Sequence, residues 1–166
     1  MGLELDIYSF TKDELEEILI PYGSLDIISM LVEKPTTSIN LNMDQINLPI
    51  DSVYYRKKHS AITDYIRTRF SVDEVSSTYI GRLRFVYNTI TKDLKRLEKR
   101  KPLQPHKMSQ LKQECGCISL ADIYEYIFTP SLWDELLVDL AELKNKLAEL
   151  MKQGVGDNYI FAHWIT

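Results

Sequence analysis

Apolar positions in this chain follow two periods, and the switch between them marks its elements. Leu3, Leu5 and Ile7 alternate with Glu4, Asp6 and Tyr8, the two-residue period of a strand with one buried face. Thr11 to Glu14 then reads as a capping box, in which each side chain satisfies the other's backbone N–H. Leu15, Ile18 and Leu19 give the following helix its apolar side, and Pro21-Tyr22-Gly23-Ser24 ends it. With Ser24 as N-cap, Leu25–Glu33 reads as a further helix. Between Pro35 and Pro49, threonines, asparagines and Asp44 make a loop with a short strand around Ser38–Leu41.

A helical period then takes over. After Asp51 as N-cap, Tyr55, His59, Ile62, Ile66 and Phe70 recur every three or four residues, flanked by Tyr54, Ala61 and Tyr65. The spacing predicts one central amphipathic helix over 52–70. A second long helix is predicted over 77–100, capped by Ser76 or Ser77, with Leu83, Val86, Ile90, Leu94 and Leu97 on its stripe. Gly81 would sit inside it as a point of close backbone approach, and Pro102 and Pro105 stop it. Lys107–Glu114 reads as a short helix, whereas Ser119–Phe128 fits helix or strand equally. A third long helix, over 132–152, carries Trp133, Leu136, Leu140, Leu143 and Leu147, and Gly154 ends it in a left-handed conformation. Tyr159–Ile165 is apolar or aromatic on both sides and reads as a buried strand. Left unpaired it would be an aggregation-prone edge, so it is expected to join Leu3–Tyr8. The predicted fold class is α+β: mostly helical, three long helices with a small sheet formed by the N- and C-terminal strands, in a single domain over 1–166.

Charge changes this picture. The net charge is −4, yet residues 1–55 carry ten acidic and two basic side chains, and residues 56–112 carry five acidic and fifteen basic. The remainder is again acidic. The basic middle either faces the acidic ends inside the fold or forms a surface for an anionic partner. Lys92, Lys95, Arg96 and Lys99 recur at helical spacing and so share one face. No apolar run is long enough to span a membrane, no secretory leader opens the chain, and Asp6 stands where a myristoylation signal needs Ser or Thr.

Candidate chemistry is sparse. Cys115 and Cys117, separated by one glycine, are too close for an unstrained disulfide and point to a reducing compartment. With His106 they make three soft ligands, one short of a closed zinc site, so no metal and no cofactor are expected. No phosphate-binding glycine loop or nucleophile elbow is present. His59, among Tyr54, Tyr55, Arg56 and Tyr65, is the one candidate catalytic group. The competing reading makes it a satisfied histidine in a tyrosine-rich core. The candidate binding residues are Tyr55, Arg56, Lys57, His59, Arg82, Lys92, Lys95 and Lys99.

The opening Met1-Gly2-Leu3-Glu4-Leu5-Asp6-Ile7-Tyr8 and the stretch Val53-Tyr54-Tyr55-Arg56-Lys57-Lys58-His59-Ser60-Ala61-Ile62 resemble a group of small bacteriophage proteins. Those proteins open Met-Gly-Leu-Asp-Met-Tyr-Leu and carry a Tyr-Trp-Arg-Lys helix; Tyr55 here replaces the Trp. Val75-Ser76 and the aromatic Tyr159–Trp164 are similar to the group's later helix start and terminal strand. The resemblance implies a phage or prophage origin and no established activity. The expected function is therefore a phage-type interaction protein that binds a host macromolecule in the host cytoplasm, inhibiting a defence or gene-expression component. A host protein is the first expectation for the partner, and nucleic acid, through the basic 56–112 segment, the second. The alternative function is a small enzyme acting on nucleotide or nucleic acid.

Overall fold

The computed structural model describes residues 4–19, 40–41, 52–56, 61–70, 77–99, 130–154 and 157–165. In chain order these form β1 (Glu4–Phe10), α1 (Lys12–Leu19), β2 (Asn40–Leu41), β3 (Ser52–Arg56), α2 (Ala61–Phe70), β4 (Ser77–Arg82), α3 (Leu83–Lys99), α4 (Pro130–Lys152) and β5 (Tyr159–Ile165). The architecture is α+β. Its antiparallel sheet has the order β2-β4-β5-β1-β3, so the last strand in sequence lies at the centre.

The terminal strands pair as their patterns predict, from Glu4 opposite Ile165 to Phe10 opposite Tyr159. On its other side β5 pairs with β4, from Thr78 opposite Ala162 to Arg82 opposite Tyr159. One sheet face presents Leu5, Ile7, Tyr54, Ile80, Ile160 and Ala162 to the buried stripes of α2, α3 and α4. The other face carries aromatic side chains: Phe161 lies 5.5 Å from both Phe10 and Tyr79, ring centre to ring centre. A strand apolar on both sides thus fills a two-sided position.

Local signals behave as their chemistry requires at several points. Thr11 N–H donates to Glu14 Oε1 at 3.1 Å and Glu14 N–H donates to Thr11 Oγ1 at 3.2 Å, the reciprocal bonds of the capping box. Gly154 follows α4 with φ of 69°. The short strand expected in the 35–49 loop is present as β2, paired with β4.

Two boundaries differ from the expectation. The predicted helix over 52–70 divides: residues 52–56 form β3, paired with β1, and the helix begins only at Ala61. Val53, Tyr54 and Tyr55 favour a pleated surface, and the edge of β1 supplies their hydrogen-bond partners. The predicted helix over 77–100 divides as well, into β4 and α3. Gly81 therefore does not sit inside a helix. It lies at an irregularity in the β4–β5 pairing with φ of 134°, a backbone shape that L side chains rarely adopt.

Nor do Ser76 or Ser77 cap α3. Arg84 N–H donates to Asp157 Oδ1 at 2.9 Å, and Leu83 N–H donates to the Asn158 carbonyl at 2.8 Å. The first turn of α3 is thus capped by residues that lead into β5. The expected helices at Leu25–Glu33 and Lys107–Glu114, and the segment Ser119–Phe128, lie outside the described residues.

Removing residues 159–166 takes out the strand that joins β4 to β1. The expected product is insoluble or lacks a cooperative urea transition; a soluble truncation with a sharp transition contradicts this arrangement. Asp157→Ala removes one capping acceptor and is expected to cost about 1 kcal/mol, read as a lower urea midpoint at unchanged slope.

Candidate functional site

Helix α3 has two unlike sides. Leu83, Val86, Ile90, Leu94 and Leu97 are buried toward the sheet and α4, while Arg84, Asn88, Lys92, Lys95, Arg96 and Lys99 are exposed. Steps of three and four residues bring those cations onto one face. Among the described residues, Lys92, Lys95, Arg96 and Lys99 form no ion pair. Arg96 and Lys99 also sit in the last turn, where positive charge complements the helix dipole.

Asp93 is the exception in this run. It is 1% exposed, and its Oδ2 accepts from Tyr65 Oη at 2.5 Å and from Arg69 Nε at 2.8 Å. Both donors belong to α2, so the carboxylate on α3 ties the two helices together. A buried carboxylate is costly unless paired and hydrogen-bonded, and here a guanidinium and a phenol do both. The tie also fixes Arg69 beside a cleft of about 400 Å³. That cleft is lined by Arg69, Phe85, Asn88, Thr89, Lys92 and Arg96, together with Asp93.

The predicted site residues are only partly brought together. Lys92, Lys95 and Lys99 share the exposed side of α3. Arg82 is placed elsewhere: its guanidinium lies 4.2 Å from the Tyr159 ring centre, and its Nε donates to the Asp157 carbonyl at 2.7 Å. Tyr55 and Arg56 stand in β3 opposite Asp6 and Leu5. Lys57 and the candidate catalytic His59 lie outside the described residues, as do His106, Cys115 and Cys117. Sequence reasoning missed the joint role of Tyr65, Arg69 and Asp93. One signal was available: Asp93 is a carboxylate on the apolar stripe of a helix otherwise rich in cations, which requires a buried partner.

A second cleft, of about 340 Å³, is lined by Glu14, Glu149 and Lys146 with Ser9, Ser52 and Asn158 among others. Its polar groups are partly engaged with one another, as where Asn158 Nδ2 donates to Ser9 Oγ at 2.9 Å. Its charges are mixed in sign and select no ligand. On the aromatic sheet face, burial pushes the Tyr79 phenol well above the ordinary tyrosine range, with nearby Arg82 opposing the shift, so it stays protonated at neutral pH. Among the described residues no three His, Cys, Asp or Glu side chains are placed to hold a metal ion, and no helix is long and apolar enough to cross a membrane. No family model, characterised protein or solved structure matches this chain.

Asp93→Ala leaves the Arg69 guanidinium and the Tyr65 hydroxyl without their shared acceptor. Because Arg69 is partly solvated, the expected loss is roughly 3 kcal/mol, the lower end for breaking a buried pair. Urea unfolding measures it, and a loss below about 1 kcal/mol would place the α2–α3 tie among ordinary surface contacts.

Proposed function

We propose that this chain is an interaction protein that binds an acidic surface of a host protein through the solvent face of α3. The observation that carries the reading is the set of exposed cations, Lys92, Lys95, Arg96 and Lys99, which no carboxylate among the described residues neutralises. Such a face speeds encounter with a complementary anionic surface and fixes its orientation.

Two features favour protein over nucleic acid. The chain carries net charge −4, which repels a polyanion at long range. Beside α3, the packed helix α4 exposes Asp134, Glu142 and Glu149 together with Lys146 and Lys152, so its surface is mixed in sign and the basic surface is a stripe along α3. A stripe suits a bounded acidic patch better than a phosphate backbone that continues past it. Together with the resemblance to small phage proteins, this supports action in the host cytoplasm by covering a functional surface of a defence or gene-expression component.

The test is capture of a partner from bacterial lysate, with and without nuclease, by the intact chain and by the triple variant Lys92→Glu, Lys95→Glu, Lys99→Glu. The three positions are exposed, so folding is expected to be unchanged. Partner binding is expected to fall, more steeply at low salt than at high salt, and to survive nuclease. Binding by the triple variant equal to that of the intact chain at every salt concentration would reduce the run to a solvated helix face. Loss of the complex on nuclease treatment would replace the protein partner with nucleic acid.

A further inference from the structure

The cleft between α2 and α3 has chemistry that a docking stripe does not need. Arg69, from α2, faces Lys92 and Arg96 from α3 across a volume of about 400 Å³, and Asp93 is the one carboxylate among the described residues that line it. Among those described residues, three cations and one anion leave two positive charges. Arginine presents a planar fork of donors matched to an oxyanion, and Arg69 is held in place by its bond to Asp93.

A second observation is independent of charge. Thr89 lines the same cleft and is only 8% exposed, yet its hydroxyl makes no hydrogen bond among the described residues. Its neighbour Thr91, on the same helix, instead donates to the Tyr87 carbonyl at 2.7 Å. The hydroxyl keeps access to the cleft, where it is available to donate to a bound oxygen. A ligand oxygen held between Arg69, Lys92 and Arg96 supplies that acceptor. The exposed Asn88 amide offers a further donor, and Phe85, partly buried, gives the cleft an apolar wall.

We propose that this cleft is a binding site for a phosphate monoester, its dianionic phosphate held by Arg69, Lys92, Arg96 and Thr89 and its organic part against Phe85. The net charge of the described lining residues matches a phosphate dianion. The volume exceeds what a phosphate alone fills and lies in the range of small-molecule sites. The site lies along the middle of α3, away from a helix N-terminus, so side chains rather than backbone N–H groups hold the anion. Lys92 and Arg96 belong to both surfaces, whereas Arg69 and Thr89 belong to the cleft alone. The proposal therefore stands or falls separately from the partner-binding reading.

Isothermal titration of the intact chain with inorganic phosphate and with adenosine 5′-monophosphate, at low ionic strength, tests it. Saturable one-to-one binding of the nucleotide is expected, tighter than that of inorganic phosphate because of Phe85. Arg96→Gln should weaken it about tenfold, as loss of a charge-assisted hydrogen bond does. Thr89→Val, which keeps the side-chain shape, should weaken it severalfold while leaving partner capture unchanged. Lys95→Gln, outside the cleft, should change it by less than about twofold. Absence of saturable binding by the intact chain overturns the proposal. So does a loss with Lys95→Gln as large as that with Arg96→Gln, which would mean a diffuse field in place of a site.

Discussion

The position of the C-terminal strand governs the rest of the structure. β5 is hydrogen-bonded to β1 on one side and to β4 on the other, so the two halves of the sheet meet only through it. Ile160 and Ala162 face the helices, while Tyr159 and Phe161 face the opposite side, and all four are buried. Asp157 and Asn158, immediately before the strand, accept hydrogen bonds from the first two N–H groups of α3. One segment thus sets both the sheet and the direction in which α3 leaves it. The surfaces that α3 presents inherit that direction.

A second constraint acts between α2 and α3. Asp93 turns inward to Tyr65 and Arg69, which removes the one carboxylate that could neutralise Lys92 or Arg96 from within the helix. The cost of burying that charge is offset inside the fold by a guanidinium and a phenol. The result is a helix that buries one of its two carboxylates, with Glu98 exposed among the external cations. The unpaired stripe and the cleft beside it follow from the same choice of partner.

Much of this was legible in the sequence where the cause is local. The alternation of Leu5 and Ile7, the Thr11–Glu14 box, the leucine stripe of α4, Gly154 and the two-sided Tyr159–Ile165 each specify their element through contacts within a few residues. β3 and β4 were not legible. Val53 to Tyr55 and Thr78 to Ile80 are short, and their apolar residues also fall on a helical stripe with Ile62, Ile66, Leu83 and Val86. Only the edges of β1 and β5, far away in sequence, decide between the two. The cap of α3 was hidden for the same reason, since Asp157 lies more than seventy residues from the N–H it accepts. Lys92, Lys95 and Lys99 could be grouped because helical spacing groups them. Arg69 and Thr89 could not, because their meeting depends on how α2 packs against α3.

The central claim is that β5 and its leading residues hold α3, and with it the basic face, as one cooperative unit. Native-state hydrogen exchange tests this most directly. The amides of residues 160–164 in β5 and of 86–97 in α3 should exchange only through global unfolding, with a common opening free energy and a common denaturant dependence. Exchange of the β5 amides through a separate opening of much lower free energy, with α3 still protected, would contradict the account.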